Sequence, residues 1–105
     1  MPRKSDQALD LMSAAITVRH NATASRYELE VASCLAVAEY VVEGGRMIFT
    51  HTLVPPELRG RGIAESLVGA ALEDARVQGR RVVPRCSFVA VFIRRHPEFQ
   101  SLVAE

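Results

Sequence analysis

The chain changes period at Pro55-Pro56. From Ile16 to the prolines the pattern is that of strands, alternating most cleanly in RYELEV (26–31); beyond them apolar residues recur every third or fourth position. A strand sends successive side chains to opposite faces, whereas a helix gathers residues three and four apart onto one stripe. Proline cannot donate to a strand ladder, so the pairing has to stop there. The pattern predicts an α+β chain in which the end of a strand feeds a helix almost directly.

Residues 17–20 read as a first short strand, and 21–25 as a polar turn. RYELEV (26–31) alternates, with Tyr27, Leu29 and Val31 on one face and Arg26, Glu28 and Glu30 on the other. The glutamates are expected to form a solvated face. Ala32-Ser33 is a tight break, and residues 34–42 supply a more apolar strand. Glu43-Gly44-Gly45-Arg46 predicts a hairpin turn, because paired glycines reach the positive φ that primed turns need. MIFTHTLV (47–54) then returns as a further strand. Strands in this succession make an antiparallel meander.

Beyond the prolines, Ile63, Leu67, Val68, Ala71, Leu72 and Ala75 predict a long helix closed by Gly79. Val82-Val83 is a short buried strand, and Ser87 is placed to cap a second helix over 88–95 that Pro97 ends. The first sixteen residues read either as an arm or as a short helix from Ser5 through Leu9, Met12 and Ile16. Residues 17–105 are expected to form a single domain.

With 105 residues there is room for one core and no second lobe. A formal charge of +1 and the lack of aromatics among the arginines argue against nucleic-acid binding. No apolar run approaches the ~20 residues needed to span a bilayer, and no secretory leader is recognisable. The two cysteines, Cys34 and Cys86, form no CxxC or Cys/His pattern, so neither a disulfide framework nor a metal site is expected. A reducing, cytoplasmic setting follows.

Arg59-Gly60-Arg61-Gly62-Ile63-Ala64 stands between a strand end and a helix start. A helix N-terminus offers amides without intrahelical partners and partial positive charge, and glycines let an anion approach the backbone closely. The same residues also suit a simple tight turn before a helix. There is no Lys-Ser/Thr after the glycines, so this is no P-loop, and an antiparallel sheet ahead of it does not fit a dinucleotide fold.

In this setting Arg59, Gly62 and Ala64 resemble the Arg/Gln-x-x-Gly-x-Gly/Ala signature of the Gcn5-related N-acetyltransferases. RYELEV (26–31), HTLVPPELRGRGIAESLV (51–68) and VVPRCSFVAVFIRRHPEF (82–99) are similar to a small stand-alone branch of that family, of about a hundred residues. The resemblance implies a minimal fold of this type: a mainly antiparallel sheet, a long helix after the fourth strand and a second after the fifth. It implies acetyl-CoA as cosubstrate, with the pyrophosphate on the amides of Gly60, Arg61, Gly62, Ile63 and Ala64. The pantetheine arm would pair with backbone near Leu53 and Val54. Arg59 and Arg61 add charge at the turn, and Arg95 reads either as part of a basic helix end with Arg94 or as a contact to a CoA phosphate. The acceptor would be an unidentified amine, on a small molecule or a protein.

Two residues are candidates for the chemistry. Cys86 lies at the entry to the second helix beside Arg85, a setting that favours thiolate. The resemblance offers it as an acetyl acceptor, with direct transfer to the amine as the other route; a small buried core residue is the third reading. His51 is expected on the strand face of Met47, Phe49 and Leu53, as a general base or as a hydrogen-bonded core histidine. One departure counts against catalysis: the tyrosine that many larger members carry seven positions after the Cys86 site is Ile93 here. A non-catalytic CoA-binding or interaction module is therefore the competing expectation.

Overall fold

The computed structural model describes residues 17–104; the expectations for 1–16 lie outside the described residues. Five strands form one sheet in chain order: β1 (Val18–Asn21), β2 (Arg26–Val31), β3 (Cys34–Glu43), β4 (Arg46–Leu53) and β5 (Arg81–Pro84). The first four are an antiparallel meander, and β5 lies parallel to β4. A parallel neighbour needs a crossover, which is supplied by α1 (Ile63–Val77). The second helix, α2 (Ser87–Arg95), follows β5 at once. Two 3₁₀ turns, Pro56–Leu58 and Pro97–Leu102, bridge the remaining breaks, each with proline in its first turn.

Alternation sets the faces of the sheet. Tyr27, Leu29, Ala36, Ala38, Tyr40, Met47, Phe49 and Val82 are buried in one cluster with both helices. From α1 the cluster takes Leu67, Val68, Ala71, Leu72 and Ala75, and from α2 it takes Val89, Phe92 and Ile93. Burying each large side chain contributes about 1.5–3 kcal/mol, so the stripe on α1 holds that helix in place far more firmly than its intrinsic propensity. Gly69 is where the helices approach: a Cβ there would stand 3.4 Å from the Phe92 ring.

The end of α1 is closed as its glycine predicts. Gly79 takes φ +71°, Arg80 N–H donates to the Ala75 carbonyl at 2.9 Å, and Gly79 N–H donates to that of Arg76 at 3.1 Å. This pair of bonds is the Schellman arrangement. Close to this end, Asp74 ties helix to sheet. Tyr27 donates its hydroxyl to Asp74 Oδ2 at 2.6 Å, and the Gln78 amide donates to the same oxygen at 2.8 Å. Burial and the adjacent carboxylate push the Tyr27 phenol well above the usual tyrosine range. His20 stacks on Tyr27 at 4.2 Å and meets the Tyr40 hydroxyl at 2.6 Å.

The sheet departs from sequence expectation in two places. Glu28 is not solvated: it is 4 % exposed, its carboxylate held by Arg26, Arg19 and Asn21. The other is a bulge in β4. Thr52 pairs with Ala38 and Phe49 with Tyr40, so β4 uses three steps where β3 uses two. Thr50 is the extra residue, its hydroxyl donating to the Glu39 carbonyl at 3.2 Å. A single extra residue exchanges the faces of everything beyond it.

Candidate active site

The site lies where β4 and β5 part. Their parallel pairing runs from Arg46↔Arg81 to Phe49↔Pro84 and is followed by one more bond, Cys86 N–H to the Phe49 carbonyl at 2.9 Å. There β5 gives way to α2, while β4 continues through Thr50–Leu53. The last turn of β4 is therefore paired with β3 on one side and, among the described residues, with no strand on the other.

Beside that open edge is a cavity of ≈ 440 Å³, within the range of small-molecule sites. Thr52, Leu53, Val54, Pro55, Pro56, Ala64 and Phe88 line it, with Leu35 and Arg59. A second cavity of ≈ 390 Å³ shares Val54, Arg59, Ala64 and Phe88 with the first and adds Gly60, Gly62, Ile63 and Glu65. The two form a continuous trough from the strand end to the start of α1.

Backbone conformation explains the glycines in the turn. Gly60 and Gly62 take φ +79° and +74°, yet a Cβ at either would meet nothing within 4 Å. They are needed for their left-handed backbone, which costs other residues about 1–2 kcal/mol. Gly62 is the N-cap of α1, and Ser66 N–H to the Gly62 carbonyl at 3.1 Å is the first helical bond. The amides of Ile63, Ala64 and Glu65 thus precede the ladder and carry the positive end of the helix dipole.

Residues 26–102 match the sequence profile described as GCN5-related N-acetyl-transferase. The chain belongs to the GCN5-related N-acetyltransferase family. Its relatives include Protein NATD1 of Bos taurus, 32 % identical over 78 % of this chain and 75 % of that one. The mouse protein of the same name is 29 % identical over 78 % and 77 %, and that of Xenopus tropicalis 27 % over 81 % of each. The five-stranded sheet with a helix after β4 and another after β5 is the minimal form of the N-acetyltransferase fold that the motif implied.

On this acetyltransferase domain, the residues singled out from the sequence fall into two groups. Leu53, Val54, Arg59, Gly60, Gly62, Ile63 and Ala64 all line the trough. The Arg59 guanidinium turns back to donate to the Val54 carbonyl at 3.1 Å, which pins the turn to the strand end. Arg61 is exposed on the same turn. Arg95 sits one turn beyond Val91 on α2, in a small neighbouring cleft with Glu65, Phe88 and His96. His96 itself is stacked on Phe92 at 3.9 Å.

His51 is placed differently from its expected face. The bulge parts it from Met47 and Phe49; it pairs with Glu39, is exposed, and lies on the sheet face turned away from the helices. Thr52 takes the helix-side position instead, with its Oγ1 3.3 Å from Cys86 Sγ. Cys86 is half-buried and is the N-cap of α2, one residue earlier than the serine cap expected at Ser87. Ile93 is buried in the core. Thr52 and Phe88 are among the trough-lining residues that sequence reasoning passed over, as are Leu35, Pro55, Pro56 and Glu65. Threonine in a strand carries no signal of its own, and Phe88 reads as one more apolar residue of a helix.

No group of three or more His, Cys, Asp or Glu converges on a metal-sized site among the described residues. No helix among them is long and apolar enough to cross a membrane.

Proposed function

We propose that this chain binds acetyl-CoA along the trough and transfers its acetyl group to an amine. The observation that carries the reading is the parting of β4 from β5: an unpaired strand edge leads directly into a glycine turn at a helix N-terminus. An extended amide-bearing arm can pair with such an edge as an added strand would. A pyrophosphate suits the amides from Gly60 to Ala64, with Arg59 and Arg61 supplying charge and Arg95 a further cation at the rim.

Bound acetyl-CoA would bring the acetyl group already activated as a thioester. The chain then has to hold that thioester beside a nucleophile and keep water away. Leu53, Val54, Pro55 and Phe88 provide the apolar walls. Cys86, outside both cavity linings but with its sulfur 3.3 Å from the hydroxyl of the lining residue Thr52, is the nucleophile, and His51, on the opposite face, stays outside the path. Both cysteines are free thiols, which suits a reducing cytoplasmic compartment.

A second reading, a CoA-binding module without turnover, draws on a specific feature. Among the described residues, the larger cavity has only Thr52 and Arg59 as polar side chains in its lining, and Ile93 offers no acid. Intact-mass measurement after incubation with acetyl-CoA separates the two. An acetyl adduct on the wild type that is absent from Cys86→Ala supports transfer through the thiol. Binding with neither adduct nor acetylated amine product supports the module.

A further inference from the structure

We propose that Thr52 is the positioning residue for the Cys86 thiol, a role built by the β4 bulge; the inference rests on Cys86 being the nucleophile of the proposed transfer. Without the extra residue at Thr50, the strict alternation from Phe49 would put His51 on the helix face and turn Thr52 away. With it, the Thr52 hydroxyl faces Cys86 Sγ at 3.3 Å, and Thr52 also lines the larger cavity. The thiol is fixed from the other side by its own backbone, through Cys86 N–H to the Phe49 carbonyl at 2.9 Å. Sulfur and hydroxyl are thereby held at one spot by two elements, the end of β4 and the start of α2.

The pair suits both states of the sulfur. A threonine hydroxyl accepts from S–H, and after deprotonation it donates its O–H to the thiolate, a charge-assisted bond stronger than a neutral one. In the transfer step, the Cys86 S–H bond breaks and a bond forms from Sγ to the acetyl carbon. The acetyl–sulfur bond of the thioester breaks, and the proton leaving Cys86 ends on the departing thiolate as free CoA thiol. Thr52 is unchanged, and its hydroxyl serves to aim the Cys86 sulfur and to stabilise its anion.

The test compares Thr52→Val, which keeps the shape and removes the hydroxyl, with Thr52→Ser, which keeps the hydroxyl. The readouts are the rate of Cys86 alkylation by iodoacetamide near neutral pH, with Cys86→Ala as the blank, and the rate of acetyl-adduct formation with acetyl-CoA. Thr52→Val is expected to slow both by at least about tenfold, and Thr52→Ser to restore them to within about threefold of wild type. Wild-type rates in Thr52→Val would overturn the assignment, as would equal loss in both variants, which would show that the hydroxyl by itself does not set the reactivity of the thiol. If Thr52→Val does not fold, Thr52→Ala against Thr52→Ser carries the same contrast. Alkylation needs no acetyl-CoA, so its dependence on the hydroxyl upholds Thr52 even where no adduct forms; that pattern would overturn the nucleophile reading of Cys86 alone.

Discussion

Glu28 faces away from the helices and is nevertheless almost fully covered. Three partners hold its carboxylate: Arg26 Nε at 2.7 Å, Asn21 Nδ2 at 2.9 Å and Arg19 at 3.0 Å. The Asn21 and Arg26 hydrogen bonds hold its carboxyl below the usual carboxylate range, outweighing the opposing effect of desolvation. A depressed folded-state value stabilises the protein wherever an unfolded glutamate is ionised, and that stability is lost as pH falls through the lower value. Glu28→Gln is therefore expected to lower the denaturation midpoint at pH 7. The gap from wild type should narrow as pH falls through and below the usual carboxylate range, and a gap as wide in acid as at pH 7 would refute this role of Glu28. Alternation in RYELEV identified the face of Glu28 correctly but not its burial. Two of its three partners, Arg19 and Asn21 of β1, arrive only once Arg19 pairs opposite Glu28 and Asn21 opposite Arg26.

Among the elements, the β2–β3 hairpin turns on Ala32 and Ser33, at φ +51° and +68°. Val31 pairs with Cys34 across this two-residue loop, the geometry that favours Asn-Gly. Ala32→Asn combined with Ser33→Gly should relieve the left-handed strain and raise unfolding stability by about 1–2 kcal/mol, read by urea denaturation at an unchanged slope. A loss of stability would show that the turn residues make contacts beyond their backbone. At this scale the chain was most readable from its sequence: alternation marked β2, apolar runs on either side of the Gly44-Gly45 turn marked β3 and β4, Pro55-Pro56 marked the end of pairing, and helical spacing marked α1. The bulge was not readable, because Thr50, His51 and Thr52 are all acceptable in a regular strand. Only the pairing with β3 decides which is extra, and that choice exchanged His51 for Thr52 beside the thiol.

Across the whole molecule, two ends of one helix do different work. The far end of α1 is locked to the sheet through Asp74, Tyr27 and the core beneath. Its near end carries the glycine turn, with amides that precede the helical ladder. The lock fixes the direction of α1, so the N-terminus stays aimed at the gap where β4 leaves β5. The turn and the strand end were legible as a motif and a proline stop, and the family resemblance assigned both to one cosubstrate. That they share a trough is a property of the sheet, since it needs β5 to stop at Pro84 while β4 runs on to Leu53. Calorimetric titration of the folded protein with acetyl-CoA, beside Gly62→Val, tests this most directly. Saturable binding by the wild type is expected, with at least about tenfold weaker binding by the variant and its fold intact by circular dichroism. No binding by the wild type at about 1 mM ligand, or equal affinity for both proteins, would contradict it.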